Sequence, residues 1–355
     1  MRCTFKGRRK RQGLAAVIRV ATFNVALFGD KPGKTRERLQ AETRDQQVGD
    51  VMAVLAHIDP DIVLINELDG NDAGAAAQMF ADRLSGTLPG AAPFHAYAYE
   101  SNTGIQTGLD LVGSGSLDSP ENAQGYGTFS GQYAFALLSR YPVARNRCFQ
   151  HFLWRDMPGA RLPDAKPGSG KGDFYSDAAL DVLRLSSKNH ADACVSLPDG
   201  TTLHLLLSHP TPPAFDGPER RNQRRNADEI RFWTDYISDA DYIRDDAGER
   251  GGLDRDAAFI ILGDLNADPT RGDSMDAGIH GLLNHPRVHD PRPSGAKGLN
   301  TAQFKGGMRV DYVLPSNGLP VRDSGVAWFA ESDPKARLNT VSDHHLVWVD
   351  LDMTP

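Results

Sequence analysis

The stretch GDLNADP, Gly263–Pro269, follows the apolar run AAFIIL, Ala257–Leu262. An apolar run of that length bounded by Gly and Pro reads as a buried strand running into a loop. The loop opens on Asp264 and Asn266, just where the strand stops. Asp and Asn form turns and tolerate left-handed backbone, so a turn explains this segment equally well when it is taken alone. The arrangement recurs, however. Asn24 sits inside ATFNVA, Ala21–Ala26; Glu67 ends DIVLINE, Asp61–Glu67; His209 ends LHLLLSH, Leu203–His209. Asp311 interrupts RVDYVL, Arg309–Leu314, and Asp343 and His344 stand in SDHH, ahead of LVWVDL, Leu346–Leu351.

Each of these has a plain structural reading: a satisfied strand amide, a helix cap, a loop start, an ion pair between Arg309 and Asp311. Together they are harder to explain that way. Buried carboxylates cost several kcal/mol unless paired or metal-bound. A set of acceptors and imidazoles at strand ends therefore points to one electronegative cleft where sheets meet. Such a cleft suits hydrolysis at phosphorus. Oxygen donors such as Glu67, with Asn24 and Asp343 near it, suit a hard divalent cation. An Asp beside an Asn, as in Asp264 and Asn266, suits the positioning of a water. A carboxylate beside an imidazole, as in Asp311 and His344, fixes the ring tautomer.

The rest of the chain sets the frame. It has 355 residues, 40% of them hydrophobic and 24% charged, which is ordinary globular composition and fits one large domain or two smaller ones. No apolar run is long enough to span a membrane. The formal net charge of -7 argues against tight, sequence-blind binding to nucleic acid, where affinity comes from neutralising phosphates. Arg2, Lys6, Arg8, Arg9, Lys10 and Arg11 form a basic N-terminal cluster without the apolar stretch of a signal peptide. Residues 1–16 read as a disordered basic tail; contact with an anionic partner and a misassigned start are the other readings. With no intact signal peptide visible, the cytoplasm is the default expectation. Cys3, Cys148 and Cys194 lack metal-site spacing; Cys148 and Cys194 could meet if their strands are neighbours, but buried free thiols are expected.

Helical spacing covers Arg44–His57, Asn71–Leu84 and Glu219–Tyr236, the last with Ile230, Trp233 and Ile237 on one face. A hairpin is expected across Pro198-Asp199-Gly200. Ser101–Gly131 reads as a long functional or mobile loop, and Trp154–Gly172 as a second irregular insertion. Strands follow one another without helices between them, so two mixed sheets packed face to face with helices outside fit better than a βαβ wind.

FNV at Asn24, NE at Glu67, SHP at His209, GDLN at Asp264, DYVLPS at Asp311 and SDHH at Asp343 occur in the order seen in the endonuclease/exonuclease/phosphatase superfamily. The chain resembles that family over roughly residues 18–352. The resemblance implies an α/β (α+β) fold, a four-layered α/β/β/α sandwich of two mixed β-sheets forming a single catalytic domain over 17–355, with Mg²⁺ or Mn²⁺ as cofactor. It implies Asn24, Glu67 and Asp343 at the metal, His209 on a phosphate oxygen, Asp264 and Asn266 on the attacking water, and Asp311 supporting His344. SNTG at Ser101–Gly104, GQYAFALLSRYP at Gly131–Pro142 and the stretch Ser208–Trp233 resemble a bacterial subset often predicted as secreted. Asp110–Gly115, DLVGSG, lacks the second Asp of that subset's acidic loop, which puts a calcium site there in doubt.

The expected activity is metal-dependent hydrolysis of a phosphoester in a small or lipid-linked substrate. A nuclease is the alternative enzyme: nucleic acid is a possible partner, supported by the basic tail and by Arg220, Arg221, Arg224 and Arg225, although a solvated helix face explains that cluster as well. A non-catalytic binding module with the same fold is the alternative outside enzymes.

Overall fold

A computed structural model describes residues 17–40, 44–197 and 200–353. The basic tail, Cys3 and the tip of the expected hairpin at Pro198 and Asp199 lie outside the described residues. In chain order the strands are β1 Val17–Asn24, β2 Ile62–Asn66, β3 His95–Ala98, β4 Phe135–Ser139, β5 Val143–Cys148, β6 His190–Ser196, β7 Thr202–Ser208, β8 Phe259–Asp264, β9 Asp311–Pro315, β10 Val321–Val326 and β11 Val347–Asp352. The helices are α1 Lys34–Leu39, α2 Gln46–Ile58, α3 Ala75–Thr87, α4 Asp177–Leu180, α5 Arg221–Ile237 and α6 Asp276–Leu283. The sequence had pointed to α2, α3 and α5. The short α1, α4 and α6 offer too few turns for periodicity to register. Among the described residues no helix is long and apolar enough to cross a membrane.

The strands form a six-stranded sheet, β10-β11-β1-β2-β4-β3, and a five-stranded sheet, β5-β6-β7-β8-β9. Both are mixed. β1 pairs with β2 in parallel, and β7 with β8; the other pairings are antiparallel. Strand alternation sends side chains two ways and builds the layers. Ile18, Val20, Ile62 and Leu64 of one sheet meet Ala193, Leu205, Leu207, Ile260 and Leu262 of the other. On the outer face of the six-stranded sheet, Ala21, Phe23, Val63 and Ile65 pack against Val51, Leu55, Phe80 and Leu84 of α2 and α3. On the outer face of the five-stranded sheet, Leu206, Phe259 and Ile261 pack against Ile230, Trp233, Ile237, Ile279 and Leu282 of α5 and α6. The layers are therefore helix, sheet, sheet, helix, as the resemblance implied.

Two expectations need adjustment. The stretch GVAWF, Gly325–Phe329, reads as a strand from sequence, but the strand lies earlier, at Val321–Val326. Cys148 and Cys194 do sit on neighbouring strands. Cys194 lies opposite Arg145 and Cys148 opposite Ala191, so both remain free thiols, half-buried rather than buried.

Direction decides where the chemistry gathers. β1, β2, β7 and β8 all end at one rim of the sandwich. Their antiparallel neighbours β11, β4, β6 and β9 begin there. Gly263 is the tightest point of this rim. Its φ is 151°, and a Cβ would stand 1.9 Å from the Ser208 carbonyl oxygen on β7. Only glycine lets the two backbones approach so closely. Gly263→Ala should therefore lower stability by at least about 2 kcal/mol through overpacking against backbone. The midpoint of urea unfolding of the variant against the wild type measures this.

Candidate active site

Six strand ends deliver the expected residues to the rim. The register Asn24↔Asn66 puts Asn24, the last residue of β1, beside the exit of β2, so Asn24 and Glu67 emerge together. Asp264 closes β8 opposite Asp311, which opens β9. His209 follows β7, and His344 precedes β11. Asn24, His209, Asp264, Asp311 and His344 are buried, Glu67 and Asn266 half-buried, and Asp343 exposed.

The geometry centres on Asp264. Its Oδ2 accepts from Asn24 Nδ2 at 3.1 Å, across the gap between the sheets. The same oxygen lies 3.4 Å from His209 Nε2 and 3.6 Å from His344 Nε2. Its Oδ1 accepts from the Asn266 backbone N–H at 2.9 Å. His344 Nδ1 faces Asp311 Oδ2 at 2.9 Å, so the imidazole lies between two carboxylates. Arg309 does not pair with Asp311. Its guanidinium is taken by Asp290 at 2.7 Å.

Charge follows from this geometry. Burial raises the Asp264 carboxyl to about 7, against the pull of the His344 ring. Burial alone would lower His344, but the carboxylates of Asp311 and Asp264 override it and raise the ring to about 10. Burial drives His209 well below its ordinary value, with Lys188 and His344 adding to the effect, so its ring is neutral. Burial also raises Glu67, opposed by His344 and by a hydrogen bond from Asn24.

Asp264, Asp311 and His344 lie close enough to hold an ion, with ligand atoms within 4.8 Å of one another. Glu67, Asn24 and Asp343 also offer oxygens, two of them as carboxylates, of the kind a hard divalent cation takes. Asn266 and Asp343 are less tightly gathered than the others. The Asn266 Nδ2 donates to the Pro210 carbonyl at 3.1 Å and so ties the loop after His209 to the loop after β8. Asp343 stands at the open edge, where its charge reaches Glu67 and His344. His345 is turned away and stacks on Trp328 at 3.8 Å between ring centroids.

Local devices hold the set in place. Glu67 has φ 58° and Asn266 φ 52°, left-handed values that turn each side chain out of its strand direction. Ser342 Oγ donates to the Asn24 carbonyl at 2.8 Å and accepts from His344 N–H at 3.1 Å. Thr301 Oγ1 accepts from the Asp311 N–H at 3.0 Å, and its carbonyl from the His345 N–H at 2.7 Å, which fixes both halves of the Asp311–His344 pair. Glu229 of α5 is fully buried; it accepts from Ser187 N–H at 2.7 Å and Thr211 N–H at 2.6 Å. Neither Thr301 nor Glu229 was visible in the sequence, because their partners lie far away in the chain. Lys188, two residues ahead of β6, is buried at the same rim and was missed too: a single lysine in a polar loop carries no signal. A wall of the cleft is aromatic. Leu27 N–H bonds to the Glu67 carbonyl and Leu68 N–H to the Ala134 carbonyl, so Phe28 and Tyr133 flank Glu67, with ring centroids 4.7 Å apart.

Other candidates are structural. Arg224 bonds to the Leu162 carbonyl and Asp164, and Arg225 to the carbonyls of Gln124, Arg184 and Leu185. These arginines staple loops; they present neither a solvated helix face nor a phosphate-binding one. Asp268 Oδ1 accepts from Thr270 and Arg271 N–H and shapes the turn. In the Asp110–Gly115 loop the Asp110 carboxylate accepts the N–H groups of Gly115 and Ser114, which hold it down to about 2. The long loop from Ser101 to Gly131 is also pinned: Asn102 Nδ2 donates to the carbonyls of Gln150 and Ser186, each at 2.8 Å.

The charged pair has a signature in stability. A ring whose pKa is raised on folding stabilises fully below its unfolded value near 6.5, and that contribution is lost as pH rises towards about 10. With divalent cations chelated, wild-type unfolding free energy should fall between pH 7 and 10 by roughly 2–5 kcal/mol. His344→Asn should be less stable at pH 7 and nearly flat across that window, as read by urea unfolding at successive pH values.

The architecture and this set can be compared with known proteins. A sequence model of the Endonuclease/Exonuclease/phosphatase family matches residues 21–344. No curated protein matches the sequence. Among solved structures, an endonuclease/exonuclease/phosphatase family protein from Leptotrichia buccalis C-1013-b aligns with a TM-score of 0.53 at 13% identity, over 95% of this chain and 100% of that one. An endonuclease/exonuclease/phosphatase from Beutenbergia cavernae DSM 12333 aligns with a TM-score of 0.54 at 17% identity, over 95% of this chain and 71% of that one. The human Nocturnin catalytic domain, solved with bound sulfate, aligns with a TM-score of 0.50 at 16% identity, over 96% of each chain. At these identities the structures speak for the fold alone. The match over 21–344 speaks for the family: the chain belongs to the endonuclease/exonuclease/phosphatase family of phosphoester hydrolases.

Proposed function

We propose that the protein is a divalent-metal-dependent phosphoesterase that attacks phosphorus with water, acting on a small or lipid-linked phosphoester. The observation that carries this reading is the charged imidazole of His344 held between Asp311 and Asp264 in a buried rim. A ring that stays protonated to about 10 is a donor and not a base. Its role is to donate to a phosphoryl oxygen, or to the departing ester oxygen, as negative charge grows there. The base is then Asp264, raised to about 7 and therefore able to accept a proton from water near neutral pH. Asp311 holds the orientation and charge of the ring.

His209, neutral and 3.4 Å from Asp264, offers one N–H to a phosphoryl oxygen. Asn266 shapes the floor between the His209 and Asp264 loops and helps to hold the attacking water. Glu67, Asn24 and Asp343 are the residues that would hold Mg²⁺ or Mn²⁺, which when bound supplies a Lewis acid for the phosphoryl group. The Phe28–Tyr133 wall beside Glu67 gives the organic part of the ester an apolar face. A nucleic acid substrate loses one support, because Arg224 and Arg225 are committed to loop carbonyls and Asp164.

Bis(p-nitrophenyl) phosphate, its monoester and supercoiled plasmid, each with Mg²⁺, with Mn²⁺ and with chelator, separate diesterase, phosphatase and nuclease. Hydrolysis of none of them with either metal would refute the proposal. Glu67→Gln should raise the Mg²⁺ concentration needed for half-maximal turnover while leaving the melting temperature close to wild type; an unchanged Mg²⁺ dependence would remove Glu67 from the metal. Asp311→Asn and His344→Ala should each cut turnover by about 100- to 10,000-fold. Because the two act as a unit, the double variant should fall little below the worse single one. Multiplicative losses on one diester would mean that they act separately.

A further inference from the structure

Asp69 follows Glu67 by two residues and is buried, 7% exposed, although it stands in a loop. Its carboxylate joins three segments that are far apart in the chain. Oδ2 accepts from the Gly29 N–H at 2.7 Å and from Thr35 Oγ at 2.7 Å. Oδ1 accepts from the Tyr133 N–H at 3.2 Å. Gly29 comes directly after Phe28. Both aromatic residues that flank Glu67 thus have their backbone tied to this one carboxylate, by bonds that its charge strengthens.

Further contacts close the same clamp. Gln132 Nε2 donates to the Gly29 carbonyl at 2.9 Å, and the Gly70 N–H to the Gly131 carbonyl at 2.8 Å. Gly131 has φ 85°, and a Cβ there would stand 2.4 Å from the Gly70 carbonyl oxygen, so the loops meet backbone against backbone. Tyr133 itself is held at φ 59°, a left-handed value that a bulky side chain rarely adopts. Such a conformation persists only where its surroundings over-determine it. Folding of the core does not call for this arrangement. Leu27 and Leu68 turn into the core against α2 and α3, whereas among the described residues neither Phe28 nor Tyr133 packs into any hydrophobic core. Phe28 is 37% exposed, and its ring lies 4.7 Å from that of Tyr133 with 57° between the planes.

We infer that Asp69 is a positioning residue: its carboxylate fixes Phe28 and Tyr133 as a rigid wall beside Glu67, and that wall selects phosphoesters whose organic group is a flat ring over those carrying a small alkyl group. The inference rests on the phosphoesterase reading for the place of the phosphoryl group, and on hydrogen bonds and ring geometry for the wall. Two tilted rings offer a face and an edge, and a planar group can stack on one while it meets the other. A rigid wall also binds without an ordering cost of its own, which is what the clamp on both backbones secures.

Phenylphosphonate and methylphosphonate test this, because they share the anionic group, have no ester bond to hydrolyse and differ in the organic part. Their dissociation constants are measured by calorimetry at saturating Mg²⁺ for wild type, Phe28→Ala, Asp69→Ala, Asp69→Asn and the Phe28→Ala/Asp69→Ala double variant. Wild type should prefer phenylphosphonate by about tenfold, the scale of one aromatic contact. Phe28→Ala and Asp69→Ala should each bring that preference close to unity, and the double variant should fall no further, because Asp69 acts through the rings. Asp69→Asn keeps the volume but must turn an N–H toward Gly29 or Tyr133. It should lose most of the preference as well, and it decides the matter if Asp69→Ala does not fold.

Asp69 variants that are less stable but keep the wild-type preference would overturn the inference and make the carboxylate a fastener of loops. Equal affinity of wild type for the two phosphonates, or binding of neither, would overturn it while ester hydrolysis left the phosphoesterase reading intact. A preference that depends on Phe28 and Asp69, in a protein that hydrolyses none of the esters, would uphold the wall and refute that reading instead.

Discussion

Asp264 is the constraint on which the rest turns. A fully buried carboxylate must be surrounded by donors, and here they come from four strand ends: Asn24 from β1, His209 from β7, Asn266 from its own loop and His344 from ahead of β11. Asn24 belongs to one sheet and Asp264 to the other, so one polar contact sets how the two sheets meet at the rim. The apolar interface behind it, with Leu64, Leu205 and Leu262, needs only shape and volume. The rim needs particular donors in particular places. Helix α5 helps to meet that need: Asn226 bonds to the carbonyls of Thr211 and Leu265, and Trp233 Nε1 to Ser208 Oγ, so a single helix face steadies the ends of β7 and β8.

The cleft is arranged as alternating charge. The His344 ring lies between Asp311 and Asp264, and Glu67 lies beyond Asn24, beside Phe28 and Tyr133. This spacing keeps like charges from meeting directly and separates a donor face from an oxygen-rich one. A phosphoryl group presents oxygens in several directions, and such a site can meet each with a different kind of partner. The loops that close the cleft contribute by being held. Thr301, Ser342 and Glu229 spend most of their hydrogen bonds on backbone.

The residues of the rim were legible because strand ends leave a mark: an apolar run, then a residue that has no business in a core. Asn24, Glu67, His209, Asp264, Asp311 and His344 all carry that mark, and the structure gathers them. The layers were legible from strands that follow one another without helices between them. Lys188, Thr301 and Glu229 carried no mark, because a lysine in a loop, a threonine after an asparagine and a glutamate in a charged helix are unremarkable until distant partners are known. Arg224 and Arg225 of α5 misled for the same reason, while Arg220 before the helix is exposed. Arg225 reads as surface charge, yet three loop carbonyls claim it. Strand limits near β10 were blurred by the bulge between Val321 and Asp323, which breaks the alternation that a reader of the sequence relies on.

β1 lies between β2 and β11, with Val17 opposite Asp352 and Thr22 opposite Val347. The centre of the six-stranded sheet thus joins segments more than three hundred residues apart in the chain, and Ser342 reaches Asn24 across the same span. Contacts of such long sequence separation are slow to form, because loop-closure entropy is lost before they repay it. During synthesis β1 would emerge early and wait for its partner, with an unsatisfied edge exposed meanwhile. Neither the central sheet nor the rim can be completed until β11 is available to pair. Folding of this protein is therefore expected to be a late, cooperative event, and its nascent chain to depend on protection of the β1 edge until the last strand arrives.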